Sequence, residues 1–196
     1  MSLPHALLGL INYYPATGYE LKNAFTQSIH FFWNATLPQI YRTLKQMEKQ
    51  DWLTVSIEHQ DGKPTRRVYH MTDKGRQELQ RWLIEPSQIP EPRSAMLIKI
   101  FFGHQMDPKQ FVSRLQEWRD YHANLLKRYE EEIVPLVDRY AARTGASKDA
   151  PYWTLTLDFG RRQARMVLDW CESVLGQMKE AQRKGVNHPK KGGRKP

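Results

Sequence analysis

Cysteine is almost missing from this chain of 196 residues: Cys171 stands alone. No intramolecular disulfide can form, which agrees with a reducing compartment, and among its apolar neighbours the thiol reads as a buried small hydrophobe. Long apolar runs are missing too. The first, Ala6 to Ile11, has no Lys or Arg ahead of it and is too short to cross a bilayer. The expectation is a cytoplasmic protein with neither signal peptide nor transmembrane helix. Catalytic signatures are equally scarce: there is no nucleophile elbow, no phosphate loop and no His-Glu-x-x-His zinc motif. Asp158-Phe159-Gly160 spells the metal-binding triplet of protein kinases but lacks every accompanying kinase motif, and His122 has no second His or Cys at ligand spacing. An enzyme reading has no residues to stand on, and neither metal nor cofactor is expected.

What is present is a globular composition, 40% apolar and 26% charged, with a net charge of +9. That charge is unevenly spread. Residues 1–86 carry 10 basic and 8 acidic side chains, 87–182 carry 14 and 13, and 183–196 carry 6 and none. Most of the excess therefore lies in a Gly-, Pro- and Lys-rich tail, expected to be disordered. An argument for nucleic acid has to rest on where the cations sit in the folded part.

Residues 36–50 form an amphipathic pattern. Leu37, Ile40, Leu44 and Met47 recur at three- and four-residue steps, which stacks them on one helical face for a core. The opposite face carries Gln39, Arg42, Gln46 and Lys49, flanked by Tyr41 and Lys45. Thr36 with Gln39 fits a capping box, although Leu37 precedes Pro38, so the start is free to slip by a residue. Upstream, Ser2 is expected to cap a first helix ended by Pro15. Thr17 and Glu20 fit a second capping box, which opens a helix with Leu21, Ala24, Phe25 and Ile29 on one face, closed by the greasy stop Phe31-Phe32-Trp33. Two helices joined this closely predict a helix-turn-helix.

Leu53, Val55 and Ile57 alternate with polar residues, Asp61 to Pro64 signals a turn, and Arg66 to Met71 supplies a second strand. Lys63, Arg66 and Arg67 place cations at this hairpin, the position from which a wing meets the sugar-phosphate backbone. Thr72 caps a fourth helix holding Leu79, Trp82 and Leu83. Helix, helix, helix, hairpin, helix predicts a winged helix-turn-helix over residues 1–86, with Tyr19, Thr36, Gln39, Tyr41, Arg42, Lys45, Gln46, Lys49, Lys63, Arg66 and Arg67 as its DNA-facing residues.

Gly18-Tyr19-Glu20-Leu21, Phe32-Trp33, Gln39-Ile40-Tyr41-Arg42-Thr43-Leu44, the run Tyr69 to Gly75 and Trp82-Leu83 resemble the PadR family of bacterial transcriptional regulators. The longer type in that family has a mostly helical C-terminal domain, so the resemblance extends over residues 1–182. Arg42 stands where many relatives have Pro, and the basic tail is not part of the family pattern.

Glu85 to Arg93, with three prolines, is expected to be a linker, followed by a short helix to Phe102. Asp107-Pro108 opens a long helix with a heptad seam at Phe111, Leu115, Trp118, His122, Leu125, Tyr129, Glu132 and Leu136, which Pro135 is expected to kink or end. The last helix repeats the spacing at Trp153, Leu157, Gly160, Ala164, Val167, Cys171, Val174 and Met178. A second stripe, Tyr152, Leu155, Phe159, Met166 and Trp170, makes its apolar side too wide for one partner. Residues 93–182 are thus expected to be an all-helical dimerisation and effector domain, with Trp118, Leu125, Phe159, Met166 and Trp170 at the homodimer interface. The fold class is mostly α. The resemblance implies a dimeric repressor on a palindromic double-stranded operator, with no membrane partner, released by a small aromatic effector such as a phenolic acid. Trp33, Arg93, Trp118, His122 and Trp153 are the effector candidates. Alternatives are a relative answering to another lipophilic or cationic ligand, of multidrug or virulence type, and an effector-free architectural DNA-binding protein.

Overall fold

The computed structural model describes residues 2–60, 63–87 and 93–186. The chain forms two compact units, Met1–Ile89 with Tyr140–Lys148, and Pro90–Arg139 with Asp149–Pro196. The hairpin tip at 61–62, most of the expected linker and the tail from 187 onward lie outside the described residues.

The first unit opens with α1 (Leu3–Ile11). Ser2 sits at its cap but makes no capping bond, because its backbone is already helical at ψ −8° and a capping hydroxyl needs extended torsions. The helix stops at Ile11, the residue whose carbonyl the ring of Pro15 would meet if the helix continued. A two-residue strand, β1 (Ala16–Thr17), leads into α2 (Gly18–Gln27), and α3 (Leu37–Lys49) comes after a short 3-10 turn. Both expected capping boxes form. The hairpin is β2 (Leu53–Gln60) and β3 (Lys63–Met71), and α4 (Asp73–Ile84) closes the unit. All strands are antiparallel, in the order β1-β3-β2, with Leu53 opposite Met71 and Glu58 opposite Arg66. The strand β1 escaped the sequence reading because two residues carry no alternation.

Leu7, Leu8, Leu21, Phe25, Ile40, Leu44 and Met47 form one fully buried cluster that fixes the first three helices against each other. Truncating a side chain such as Leu44 there costs roughly 2–5 kcal/mol. Asp51 turns the chain out of α3 with a left-handed φ of 59°, a conformation Asp tolerates better than most residues. Its carbonyl accepts from the Thr72 hydroxyl at 2.6 Å. Gly75 allows α4 to dock here, since a Cβ would lie 2.2 Å from the Trp52 carbonyl oxygen. At the edges of this core Leu83 is exposed, and so are Phe32 and Trp33, which follow the 3-10 turn after α2.

The second unit holds α5 (Ala95–Phe101), α6 (Pro108–Arg128) and α8 (Ala150–Val186), while α7 (Val134–Thr144) begins in it and ends in the first unit. Asp107 caps α6 through the N–H groups of Lys109 and Gln110. Between α6 and α7 lies a π turn, Tyr129–Ile133, closed by the Val134 N–H on the Tyr129 carbonyl. The expected disturbance at Pro135 therefore takes the form of a widened turn just ahead of the proline, which moves the clashing carbonyl aside without ending the helix. The seam departs from the expected heptad at this end. Leu115, Leu126 and Tyr129 are the buried positions, Leu125 is only half-buried and Glu132 is exposed. On α8, Leu157, Ala164, Cys171 and Leu175 are buried, and Gly160 lets Tyr129 approach so closely that a Cβ would meet its hydroxyl at 2.7 Å. The thiol of Cys171 is pushed up by burial, as an inert core cysteine should be. The helix continues to Val186, into the segment expected as tail.

Candidate nucleic-acid interface

The helix α3 divides cleanly. Ile40, Thr43, Leu44 and Met47 are buried, and the stripe Arg42, Lys45, Gln46 and Lys49 is exposed, its side chains making no hydrogen bond or ion pair among the described residues. Three cations and an amide thus stand free on one face of a capped helix. Gln39 is different, although its spacing in the sequence places it on that face. Its Oε1 accepts from the Thr36 N–H at 2.8 Å and from the Thr36 hydroxyl at 3.1 Å, while its own N–H donates to that hydroxyl at 3.4 Å. Thr36 and Gln39 hold the helix start, and contacting a base would require opening the cap.

Tyr41 is 44% exposed, and its ring lies on the first turn of α2. A Cβ on Gly18 would stand 2.4 Å from Tyr41 Cε1, so the glycine is what gives the ring its place. Tyr19, next in sequence, is exposed in that same turn, where backbone N–H groups and the helix dipole favour a phosphate. The Lys22 ammonium donates to the Ala35 carbonyl at 3.0 Å and ties α2 to the segment before α3.

At the wing, both described cations already have acidic partners. Arg66 meets Glu20 at 2.6 Å, and Arg67 meets both carboxylate oxygens of Glu48 at 3.2 Å. The Thr17 N–H, with lesser help from its hydroxyl and from Arg66, holds the Glu20 carboxyl below the usual carboxylate range against the opposing effect of burial. The sequence marks Glu20 as a capping acid but shows neither pairing, because each joins residues far apart in the chain. The Lys63 side chain lies outside the described residues.

The effector candidates are divided between the units, Trp33 in the first and Arg93, Trp118, His122 and Trp153 in the second. Trp118 meets His122 edge-on at 5.7 Å and Trp170 at 5.8 Å, so it fills the α6–α8 seam. Burial lowers the His122 pKa, as expected of a core histidine. Of the dimer candidates, Phe159 is 68% and Met166 62% exposed, alongside exposed Tyr152 and Leu155. A cleft of about 570 Å³ that the sequence reading did not anticipate is lined by Leu126, Glu130, Arg161, Arg162, Arg165 and Met166, among others, with Glu130 shared between Arg161 and Arg165. None of the five effector candidates lines it. Among the described residues no cluster of His, Cys, Asp or Glu is arranged to hold a metal, and no helix is long and apolar enough to cross a membrane.

Residues 7–81 match the model of the transcriptional regulator PadR-like family, and residues 92–179 match that of the virulence activator alpha C-terminal family. A probable transcriptional regulator of Mycobacterium tuberculosis is 45% identical over 92 residues, which is 47% of this chain and 49% of that protein, so the match spans about half of that relative's length. The negative transcriptional regulator PadR of Bacillus subtilis is 28% identical over 90% of this chain and 97% of its own. Its structure with operator DNA superposes with a TM-score of 0.77 at 25% identity, covering 91% of this chain and 99% of that one, and it has also been solved with p-coumaric acid. The Vibrio cholerae virulence activator AphA gives a TM-score of 0.72 at 26% identity, covering 92% and 99%. Winged helix, helical C-terminal part and both family matches agree: residues 7–81 belong to the PadR-like family of transcriptional regulators, and residues 92–179 match the C-terminal family that accompanies them here.

Proposed function

We propose that this protein is a cytoplasmic homodimeric repressor that reads a palindromic operator with the exposed stripe of α3 and the wing, and that a small aromatic compound of the phenolic-acid class releases it. The observation that carries the reading is the free cationic stripe Arg42, Lys45, Gln46 and Lys49 on a helix whose other face is fully buried. A protein of similar fold has been solved on operator DNA and with p-coumaric acid. For a ligand to release DNA about 100-fold, it has to favour the non-binding arrangement by roughly 2.7 kcal/mol. The test titrates p-coumarate, and a non-phenolic control, into the full chain bound to its own upstream DNA. Release by p-coumarate alone at micromolar to millimolar concentration is expected; release by neither removes the phenolic assignment and leaves the regulator. Likeness to AphA and the match of residues 92–179 favour a second reading, an activator with a different effector or none. A reporter that falls when the gene is deleted distinguishes it from a repressor.

A further inference from the structure

Arg66 and Arg67 are neighbours on β3, so their side chains leave opposite faces of the hairpin. Each meets an acid from a different helix, and the two acids stand in different circumstances. Glu20 lies in the first turn of α2, where the helix dipole favours a carboxylate. It also takes the Thr17 N–H and the Thr17 hydroxyl, each at 2.8 Å. With Arg66 at 2.6 Å it is a fully used brace between β1, α2 and β3. Glu48 has none of this support. It sits in the last turn of α3, where the dipole disfavours negative charge, beside exposed Lys45 and Lys49 on the helix that carries the reading stripe. Its one partner among the described residues is Arg67, through two 3.2 Å contacts in which both groups are substantially exposed. An acid on the reading helix opposes phosphate directly, and neither cap nor core needs this one.

We infer that Glu48 is an internal substitute for a DNA phosphate: it holds the Arg67 guanidinium until a correctly placed phosphate takes it over, and thereby suppresses binding to non-cognate duplex. Arg66, by contrast, is a positioning residue held by Glu20. The inference rests on the DNA-binding reading above. A random duplex fits the wing loosely and does not compensate for stranding the Glu48 carboxylate close to its phosphates. A cognate site, which also engages the α3 stripe, does compensate. Glu48 therefore acts on specificity through its charge.

The test measures binding of the full chain to its own upstream DNA and to a random duplex, by fluorescence anisotropy over a series of salt concentrations. Glu48→Gln is expected to tighten random-duplex binding roughly 3- to 10-fold at low salt and to steepen its salt dependence by about one ion, with a smaller gain on upstream DNA, so that the specificity ratio falls. Glu48→Asp keeps the charge and should track the parent protein. Adding Arg67→Ala to Glu48→Gln should remove the gain. Glu20→Gln should instead lower the Tm and weaken both duplexes alike. Random-duplex affinity unchanged in folded Glu48→Gln overturns the inference, as does a gain that survives Arg67→Ala, which would make it a general charge effect. A parent protein that binds no duplex overturns both this inference and the DNA-binding reading, whereas binding by the parent with an indifferent Glu48→Gln overturns this one alone.

Discussion

Single side chains set what the reading face can recognise and what keeps it in place. Arg42 is exposed and unpartnered among the described residues, and a guanidinium there can take a guanine edge with two parallel hydrogen bonds, worth roughly 1–3 kcal/mol of discrimination. Arg42→Ala should weaken upstream DNA by that amount and random duplex by less in a gel-shift competition; equal losses would make Arg42 a phosphate contact. Far from that face, the Arg81 side chain, with lesser help from His5, holds the Glu78 carboxyl down to about 2 from its ordinary value near 4.5. The His5 Nε2–H donates to the Glu78 carboxylate at 2.9 Å and the ring stacks on Trp82 at 4.5 Å, so the group joins α1 to α4. Since the folded carboxyl sits below its unfolded value, its stabilisation is complete above about pH 4.5 and declines as pH falls toward about 2. The Tm gap between the parent and Glu78→Gln should narrow from pH 5 to 3. A gap that does not change over that range would mean Glu78 acts by shape and not by charge. The sequence showed the aromatic and basic residues of these sites but not their partners, because Gly18 under Tyr41, Glu78 on His5 and Glu48 on Arg67 are brought together only by the fold.

Elements were legible to the extent that their own residues specify them. The two capping boxes, the three- and four-residue steps of α3 and the alternation of β2 are local patterns, and all three elements are present, although α2 ends at Gln27 and leaves Ile29 to the following 3-10 turn, and Ile57 of β2 is exposed. The seam of α6 was legible only up to its last turns. The π turn at Tyr129–Ile133 rotates the residues within and beyond it relative to a regular helix, which is why Glu132 leaves the seam, and on the turn before it Leu126 is buried in place of Leu125. The wing is an element whose job depends on its charges, and both of its described arginines carry acidic partners. Neutralising Lys63, Arg66 and Arg67 together should still flatten the plot of log affinity against log salt, by about 0.9 for each lost phosphate contact. The flattening should come mainly from Arg67 and Lys63, since Arg66 is committed to Glu20. An unchanged slope in a folded triple variant would mean the hairpin does not reach the backbone.

At the scale of the whole molecule, one winged helix reads one half-site, and sequence-specific control from this architecture calls for two. A two-fold pair sets its reading helices about one DNA turn apart, roughly 34 Å, on a palindrome. The chain has a surface suited to that pairing. Tyr152, Leu155, Phe159 and Met166 step along α8 by three, four and seven residues and remain exposed, while the opposite side of the same helix is buried against α6 at Leu157, Ala164 and Cys171. Exposed aromatic and aliphatic side chains in heptad register are costly to leave in water and cheap to bury against a copy of themselves. Trp170, edge-on to Trp118 and 38% exposed, borders that stripe. An aspartate at Met166 would place an unpaired charge in the middle of such a contact, a loss of roughly 3–5 kcal/mol that a micromolar dimer cannot absorb. Met166→Asp should therefore sediment as a monomer at concentrations where the parent is dimeric, with its helical circular dichroism retained. It should also lose affinity for a palindrome far more than for an isolated half-site. If Met166→Asp and Trp170→Asp both sediment like the parent dimer, the two-fold contact lies on another surface and the α8 stripe has a different partner.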